Sequence, residues 1–363
     1  MNANTKELHD MGQSLWVDNI SREMLMRGTL SRYIAEWSVT GLTSNPTTFE
    51  HAIAHGGFYD ESIARLARRN EPAEQLFFAL ALEDLTTAAD LFRPIFDATE
   101  GLDGWVSLEV SPLLSDNAAK TIQAAAWLHE AADRPNLFIK IPGTAAGAEA
   151  IEQSIFEGVP VNVTLLFSPE QYLAAAEAYL RGIERRILAG RNPNVRSVAS
   201  LFVSRWDVAV KQEVSPPFHN RLGISMAMRT YRAYRDLLAS PRWHRLAQAG
   251  ARPQRLLWAS TGTKDPAAAA TLYVEALAAP DTINTIPEKT LSAFAEHGKV
   301  GAPLPADGGY ADEVLEEFRR EGVDDEALAA RLQREGADAF AASWHVLLAC
   351  IEKKSARPAA TGT

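Results

Sequence analysis

A single cysteine, Cys350, is all that the 363 residues contain. This excludes an intramolecular disulfide and any thiolate metal cluster. Its setting, Val346-Leu347-Leu348-Ala349-Cys350-Ile351, suits a small buried hydrophobe better than a reactive thiol. No stretch approaches the roughly 18 consecutive apolar residues that a membrane span requires. Residues 1–13 are polar, include Glu7 and Asp10, and show neither an apolar signal core nor an Arg-rich transit pattern, so a cytoplasmic location is expected. Basic charge is short as well: 36 Lys and Arg stand against 46 Asp and Glu, a net charge of −10. Bulk nucleic-acid binding is therefore not expected, although a few basic groups gathered in one cleft would still take an anionic ligand. No composition shift, Pro/Ser linker or repeat divides the chain, which reads as a single domain over 1–363.

What the sequence does have is alternation. Short apolar runs at 15–18, 37–40, 105–110, 137–141, 161–165, 197–203, 256–259 and 282–286 read as strands, and the longer segments between them carry helical spacing. Ser168-Pro169-Glu170-Gln171 is a capping box with Pro at the first helical position, followed by Tyr172, Leu173, Ala176, Tyr179, Leu180, Ile183 and Ile187 on one stripe. Gly190 and Pro193 then stop that helix. The stretch 208–252 is helix-rich but broken at Pro216-Pro217 and Ser240-Pro241. A Gly- and Pro-rich loop over 301–309 precedes a terminal helix over 324–351, and 355–363 reads as a frayed tail. Strand–helix alternation with short connections implies a parallel sheet. Eight strands, with no Gly-x-Gly-x-x-Gly after the first, favour a closed (β/α)8 barrel over a doubly wound sheet.

In such barrels the chemistry sits where the strands end. The polar residues fall there: Asp18 after the first strand, Asn45 after the second, Glu109 on the third, Lys140 on the fourth, Asn162 and Thr164 on the fifth, and Ser200, Phe202 and Arg205 at the sixth. The seventh opens into Ser260-Thr261-Gly262-Thr263-Lys264-Asp265-Pro266. Lys140 stands out, because Leu137-Phe138-Ile139-Lys140-Ile141 places an amine inside an apolar run. Lysine is rarely buried without a partner, and desolvation disfavours its charged form, which frees an amine to act as a nucleophile.

On that segment alone, a lysine snorkelling from an edge strand is the better reading. Taken singly, the others also have bland explanations. Asp18 and Asn45 suit turns or caps, Asn162 and Thr164 suit bonds within the barrel, and Glu109 suits an ion pair. Together, an amine and two carboxylates in one ring of strand ends are costly for a purely structural core. They suit a lysine nucleophile with acid–base partners. Ser260 and Lys264 with Arg205 form the best phosphate candidate, because phosphate sites in these barrels favour the last loops. His51 and His55 stand four apart, but with no third ligand nearby no metal is assigned.

The motifs Leu15-Trp16-Val17-Asp18, Thr43-Ser44-Asn45-Pro46-Thr47, Val106-Ser107-Leu108-Glu109-Val110, Phe138-Ile139-Lys140-Ile141, Asn162-Val163-Thr164-Leu165-Leu166-Phe167-Ser168 and Ala259-Ser260-Thr261-Gly262-Thr263-Lys264 resemble those of the transaldolase family. The resemblance runs from about Leu8 to Ile351, in order. It is closest to the longer bacterial form, which shares the Thr-Gly-Thr-Lys loop and Asn284-Thr285-Ile286-Pro287.

It implies that Lys140 forms a Schiff base with the C2 carbonyl of a ketose phosphate such as sedoheptulose 7-phosphate or fructose 6-phosphate. Glu109 and Thr164 would handle a water and shuttle protons, and Asp18 would take the C4 hydroxyl proton as C3–C4 breaks. Asn45, Asn162 and Ser200 would hold the three-carbon unit until an aldose phosphate arrives, with Phe202 helping to exclude water. A protonated imine is itself an electron sink, so no metal or organic cofactor is expected. Shorter members bind phosphate with a Ser-x-Arg pair after the seventh strand. Here Ser260-Thr261-Gly262 has no Arg, and Lys264 is expected to substitute. Two alternatives stay open: a class I aldolase that releases dihydroxyacetone, and a sugar-phosphate sensor without turnover. Homo-oligomerisation is left open too.

Overall fold

Eight strands in which every position is buried form the centre of the protein, as a computed structural model describing residues 1–356 shows. They are β1 (Ser14–Val17), β2 (Val39–Leu42), β3 (Val106–Glu109), β4 (Leu137–Pro142), β5 (Val161–Leu166), β6 (Ser197–Phe202), β7 (Gln254–Ala259) and β8 (Ile283–Ile286). Burial on both faces explains why they read as continuous apolar runs and why all their pairings are parallel. The order is β2-β1-β8-β7-β6-β5-β4-β3, and a bridge between Gly41 and Trp105 brings the two outer strands together. This is the expected (β/α)8 barrel. Gly41 makes the closure feasible, since a Cβ there would lie 2.6 Å from the Trp16 indole and 2.7 Å from the Trp105 carbonyl oxygen.

Period-two alternation sorts the barrel interior into layers. Trp16, Trp105 and Phe138 fill the lower part, with Trp105 and Phe138 stacked at 3.9 Å and the Trp16 indole N–H donating to Asp103 at 2.8 Å. Two residues further along their strands, the same inward face carries Asp18 above Trp16 and Lys140 above Phe138. Ser107 and Glu109 on β3, Asn162 and Thr164 on β5, and Val198, Ser200 and Phe202 on β6 continue the pattern. The apolar layers thus set a floor beneath a polar ring.

The helices fit the expected punctuation. Ser168 caps Pro169–Leu188, though the Gln171 side chain accepts from the Phe167 N–H rather than closing a box on Ser168 itself. The segment after β6 splits into Ser204–Val210, a short turn at Pro216–Phe218, Leu222–Ala239 and Pro241–Gln248, with breaks at the predicted prolines.

Several boundaries shift by a residue or two, the seventh strand for example beginning at Gln254 and not at 256, and two of the differences have a visible cause. The second strand begins at Val39 rather than at residue 37. Trp37 instead ends the helix Thr29–Glu36, stacking on Tyr33 one turn earlier at 4.5 Å, and Ser38 turns the chain with a φ of 54°. The terminal helix runs Asp325–Ser355, beyond the expected stop at 351. Its last turn is held by Lys354, whose ammonium donates to the Gly56 carbonyl and pairs with Asp60 at 2.6 Å. Ser355 therefore closes a helix instead of opening a tail, and residues 357–363 of the expected tail lie outside the described residues. Cys350 is only half-buried, at the edge of the core.

Candidate active site

The strand ends open into a cavity of about 440 Å³, large enough for a small phosphorylated metabolite. Asp18, Asn45, Lys140, Thr164, Ser200, Phe202, Arg205, Ser260 and Lys264 all line it. Two residues singled out in the sequence lie just beneath the surface instead. Glu109 is buried against Lys140, and Asn162 is fully buried under Ser200.

Lys140 is 5% exposed. Its ammonium nitrogen lies 3.1 Å from a Glu109 carboxylate oxygen and donates to the Ser44 carbonyl at 2.9 Å. The snorkelling reading therefore fails, because β4 is interior and its pleat points the amine into the barrel. Beyond the ion contact, the Glu109 carboxyl oxygens accept no hydrogen bond among the described residues, and the buried Thr164 hydroxyl has no partner either. Glu109 is therefore paired with Lys140 alone, and the Thr164 hydroxyl lines the cavity without a protein partner.

Both carboxyl groups are pushed above their ordinary range. For Glu109 the main cause is burial; the Lys140 charge and hydrogen bonding oppose it, and the negative charge of Asp18 adds to it. For Asp18 burial again dominates, opposed by Lys140, by a hydrogen bond from Thr43 and by Lys264. The Thr43 hydroxyl donates to Asp18 at 2.9 Å and is itself 2.6 Å from the Thr285 hydroxyl, so the carboxyl orientation is set from β2 and β8. The Lys140 amine thus pairs directly with Glu109 and acts on Asp18 through its charge, with both carboxyl groups desolvated.

The ring of polar side chains is interconnected. Asn162 donates to the Ser107 hydroxyl at 3.1 Å and accepts from Ser200 at 2.7 Å, which ties β3, β5 and β6 together at one level. Asn45 caps the helix Pro46–Ala54, accepting from the Thr48 N–H at 2.9 Å, so it is a cap and a cavity-lining residue at once. At the cation-rich end, neither Arg205 nor Lys264 makes a side-chain hydrogen bond or ion pair among the described residues, and burial holds the Arg205 guanidinium below its ordinary range. Ser260, in the left-handed region at φ 56°, sits with its hydroxyl 2.9 Å from that of Ser204.

Several lining residues carry no role expected from the sequence. Thr43 and Thr285 look like ordinary strand-end threonines, and Phe340 comes from the terminal helix, roughly 200 residues after Lys140. His51 lines the mouth, with its ring stacked on His55 at 4.4 Å. No group of three or more metal-ligating side chains occurs among the described residues, and none of their helices is long and apolar enough to cross a membrane.

Fold and site together define a (β/α)8-barrel protein with a lysine-centred pocket at the carboxyl ends of the strands. Within that class the chain belongs to the transaldolase/fructose-6-phosphate aldolase family, whose model matches residues 15–351. Among curated relatives, proteins named transaldolase from Thiobacillus denitrificans and Thermobifida fusca are each 43% identical to it, covering 96% of this chain and 99% and 97% of their own lengths. One from Acidothermus cellulolyticus is 42% identical over 97% of this chain and 96% of its own.

Proposed function

We propose that this protein is a transaldolase, a transferase that moves a dihydroxyacetone unit from sedoheptulose 7-phosphate or fructose 6-phosphate to glyceraldehyde 3-phosphate or erythrose 4-phosphate. The observation that carries this reading is the buried Lys140 amine, 3.1 Å from Glu109 on the floor of a cavity that also holds Asp18.

Lys140 gives a proton to Glu109 and attacks the C2 carbonyl of the ketose. Glu109 and the Thr164 hydroxyl handle the water lost as the carbinolamine becomes a protonated imine. Asp18 then takes the C4 hydroxyl proton while the C3–C4 bond breaks, its electron pair flows into the imine, and the aldose phosphate leaves. The enamine on Lys140 is held by Asn45, Asn162 and Ser200 and attacks the incoming aldehyde, whose oxygen recovers the proton from Asp18. Hydrolysis of the imine releases the product and restores the amine. Arg205, Lys264 and Ser260 bind the phosphate at the cationic end of the pocket, where two unpaired cations favour an anion.

Transfer is favoured over simple aldol cleavage because Phe202 has no hydroxyl with which to direct a water onto the enamine. A step of this kind belongs to the pentose phosphate pathway, and charged sugar phosphates, which do not cross membranes unaided, support a cytoplasmic location. Supplying fructose 6-phosphate with erythrose 4-phosphate and measuring sedoheptulose 7-phosphate against free dihydroxyacetone tests the reading. Transferase activity predicts sedoheptulose 7-phosphate in large excess. Stoichiometric dihydroxyacetone would make the protein an aldolase, and no turnover would leave a sensor.

A further inference from the structure

Arg205 is a half-buried guanidinium without a polar partner, yet it is not loosely held. Its carbon lies 5.4 Å from the centroid of the Phe202 ring and 6.0 Å from that of Phe340, a ring that also lies 5.9 Å from Lys140 Nζ, while the Glu335 carboxylate acts on the guanidinium through its charge without bonding it. One turn before Phe340, Gly336 brings the terminal helix so close that a Cβ there would lie 3.3 Å from Arg205 Nη1 and 2.9 Å from Leu165 Cδ2. Leu165 itself sits at a φ of 60°, where the pairing of β5 with β6 shifts register, and its carbonyl accepts from Gln333 at 2.9 Å. The Gln333 amide also donates to the Gly143 carbonyl at 3.1 Å. Ten residues on, the Ser343 hydroxyl meets that of Thr47 at 2.9 Å. The segment carrying Gly336 and Phe340 is thus tied to the ends of β4 and β5 on one side and to the helix after β2 on the other.

We propose that the terminal helix forms a wall of the phosphate site, in which Gly336 and Phe340 position the Arg205 guanidinium. The inference rests on the reading that Arg205 receives the substrate phosphate. Aromatic faces attract a guanidinium without consuming its N–H donors. Held in this way, Arg205 keeps its full fork of donors for a phosphate and loses little freedom on binding. A carboxylate partner would have fixed it equally well but would have competed with the ligand.

The test compares Phe340→Leu, Phe340→Tyr, Gly336→Ala, Arg205→Ala and the double variant Arg205→Ala/Phe340→Leu in steady-state assays, with inorganic phosphate as a competitive inhibitor. Phe340→Leu keeps an apolar side chain but removes the ring face. It is expected to raise KM for fructose 6-phosphate and Ki for inorganic phosphate by about 3- to 10-fold, with a smaller change in kcat. Phe340→Tyr should stay within about twofold of the parent on both constants, since the ring is kept. Gly336→Ala should act in the same direction as Phe340→Leu, and it guards against misreading one badly folded variant. In the Arg205→Ala background, Phe340→Leu should add nothing to KM or Ki, as expected of a residue that works through Arg205 on phosphate; any remaining fall in kcat there reports the same ring's contact with Lys140, whose Nζ lies 5.9 Å from its centroid.

A purely structural helix would lower thermal stability without separating KM from kcat. If Arg205→Ala raises KM and Ki while Phe340→Leu and Gly336→Ala leave both unchanged, the positioning role is overturned and the phosphate reading stands. Additive effects of the double variant on KM and Ki also overturn it. If Arg205→Ala itself changes neither constant, the phosphate reading falls and takes the inference with it.

Discussion

Replacing Asp18 by Asn isolates the proton transfer proposed for it from everything else in the site. An amide oxygen at this position can still accept from the Thr43 hydroxyl, now 2.9 Å away, and the backbone N–H still donates to the Ile286 carbonyl at 2.9 Å. Position and packing are therefore kept while the ability to take a proton is lost. General base catalysis by a positioned carboxylate contributes about 10²- to 10⁴-fold, equivalent to roughly 3–5 kcal/mol in the barrier to C3–C4 cleavage. The assay follows glyceraldehyde 3-phosphate release from fructose 6-phosphate with erythrose 4-phosphate present, alongside borohydride trapping and peptide mass mapping. kcat should fall by that factor with KM changed only a few-fold. Imine formation does not need this carboxylate, so Lys140 should still be trapped, now carrying six carbons of the donor instead of three. A kcat within tenfold of the parent would refute the assignment of Asp18. So would a well-folded variant in which no adduct forms.

Three further outcomes are expected. Lys264→Ala should raise KM for phosphorylated substrates about tenfold or more with a smaller fall in kcat, as loss of a charged hydrogen bond predicts, and an unchanged KM would place the phosphate elsewhere. Asp207, which accepts from Leu222 and Gly223 N–H groups and from the Tyr273 hydroxyl, is pushed up to about 6, chiefly by burial. A folded value above the unfolded 3.8 means that the folded state holds the proton more tightly, so stability drops as pH rises from about 4 to 6. Relative to Asp207→Asn, the parent should lose roughly 3 kcal/mol across that window in urea unfolding, and a difference that does not vary with pH would contradict this. Gly41→Ala should destabilise the barrel by roughly 3 kcal/mol, because a methyl group cannot fit between the Trp16 indole and the Trp105 carbonyl; unchanged thermal unfolding would show that the seam can yield.

How much of this could be read from the chain alone depended on the range of the interactions. The strands were legible because parallel strands buried on both faces leave short apolar runs, and alternation along β5 already put Asn162 and Thr164 on one side. Lys140 announced itself by violating that apolarity. The second strand was misplaced because Trp37 and Val39 look alike in a hydrophobicity pattern, whereas the Tyr33–Trp37 stack and the turn at Ser38 decide the boundary. In an isolated segment a lysine more often snorkels than stays buried, and only the closed barrel removes the solvent edge that snorkelling needs.

The links between strands could not be read at all. That Asn162 would bond both Ser107 and Ser200, or that Thr43 would bridge Asp18 and Thr285, follows from register across the barrel and not from local pattern. Phe340 was hidden for the same reason. Within its helix it looks like any apolar position, and its place beside Arg205 is set by Gln333 bonding the end of β5 and Ser343 meeting Thr47 in the helix after β2. Asn45 shows why weighing structural against functional roles for one residue can mislead, since it caps a helix and faces the cavity together.

The central claim is that a single amine, on β4, forms the covalent bond to the sugar. Borohydride reduction with fructose 6-phosphate, followed by peptide mapping, tests it most directly. The account predicts a three-carbon adduct on the peptide containing Lys140 and none in a folded Lys140→Met variant. An adduct on a different lysine, or sugar transfer that survives in Lys140→Met, would contradict it.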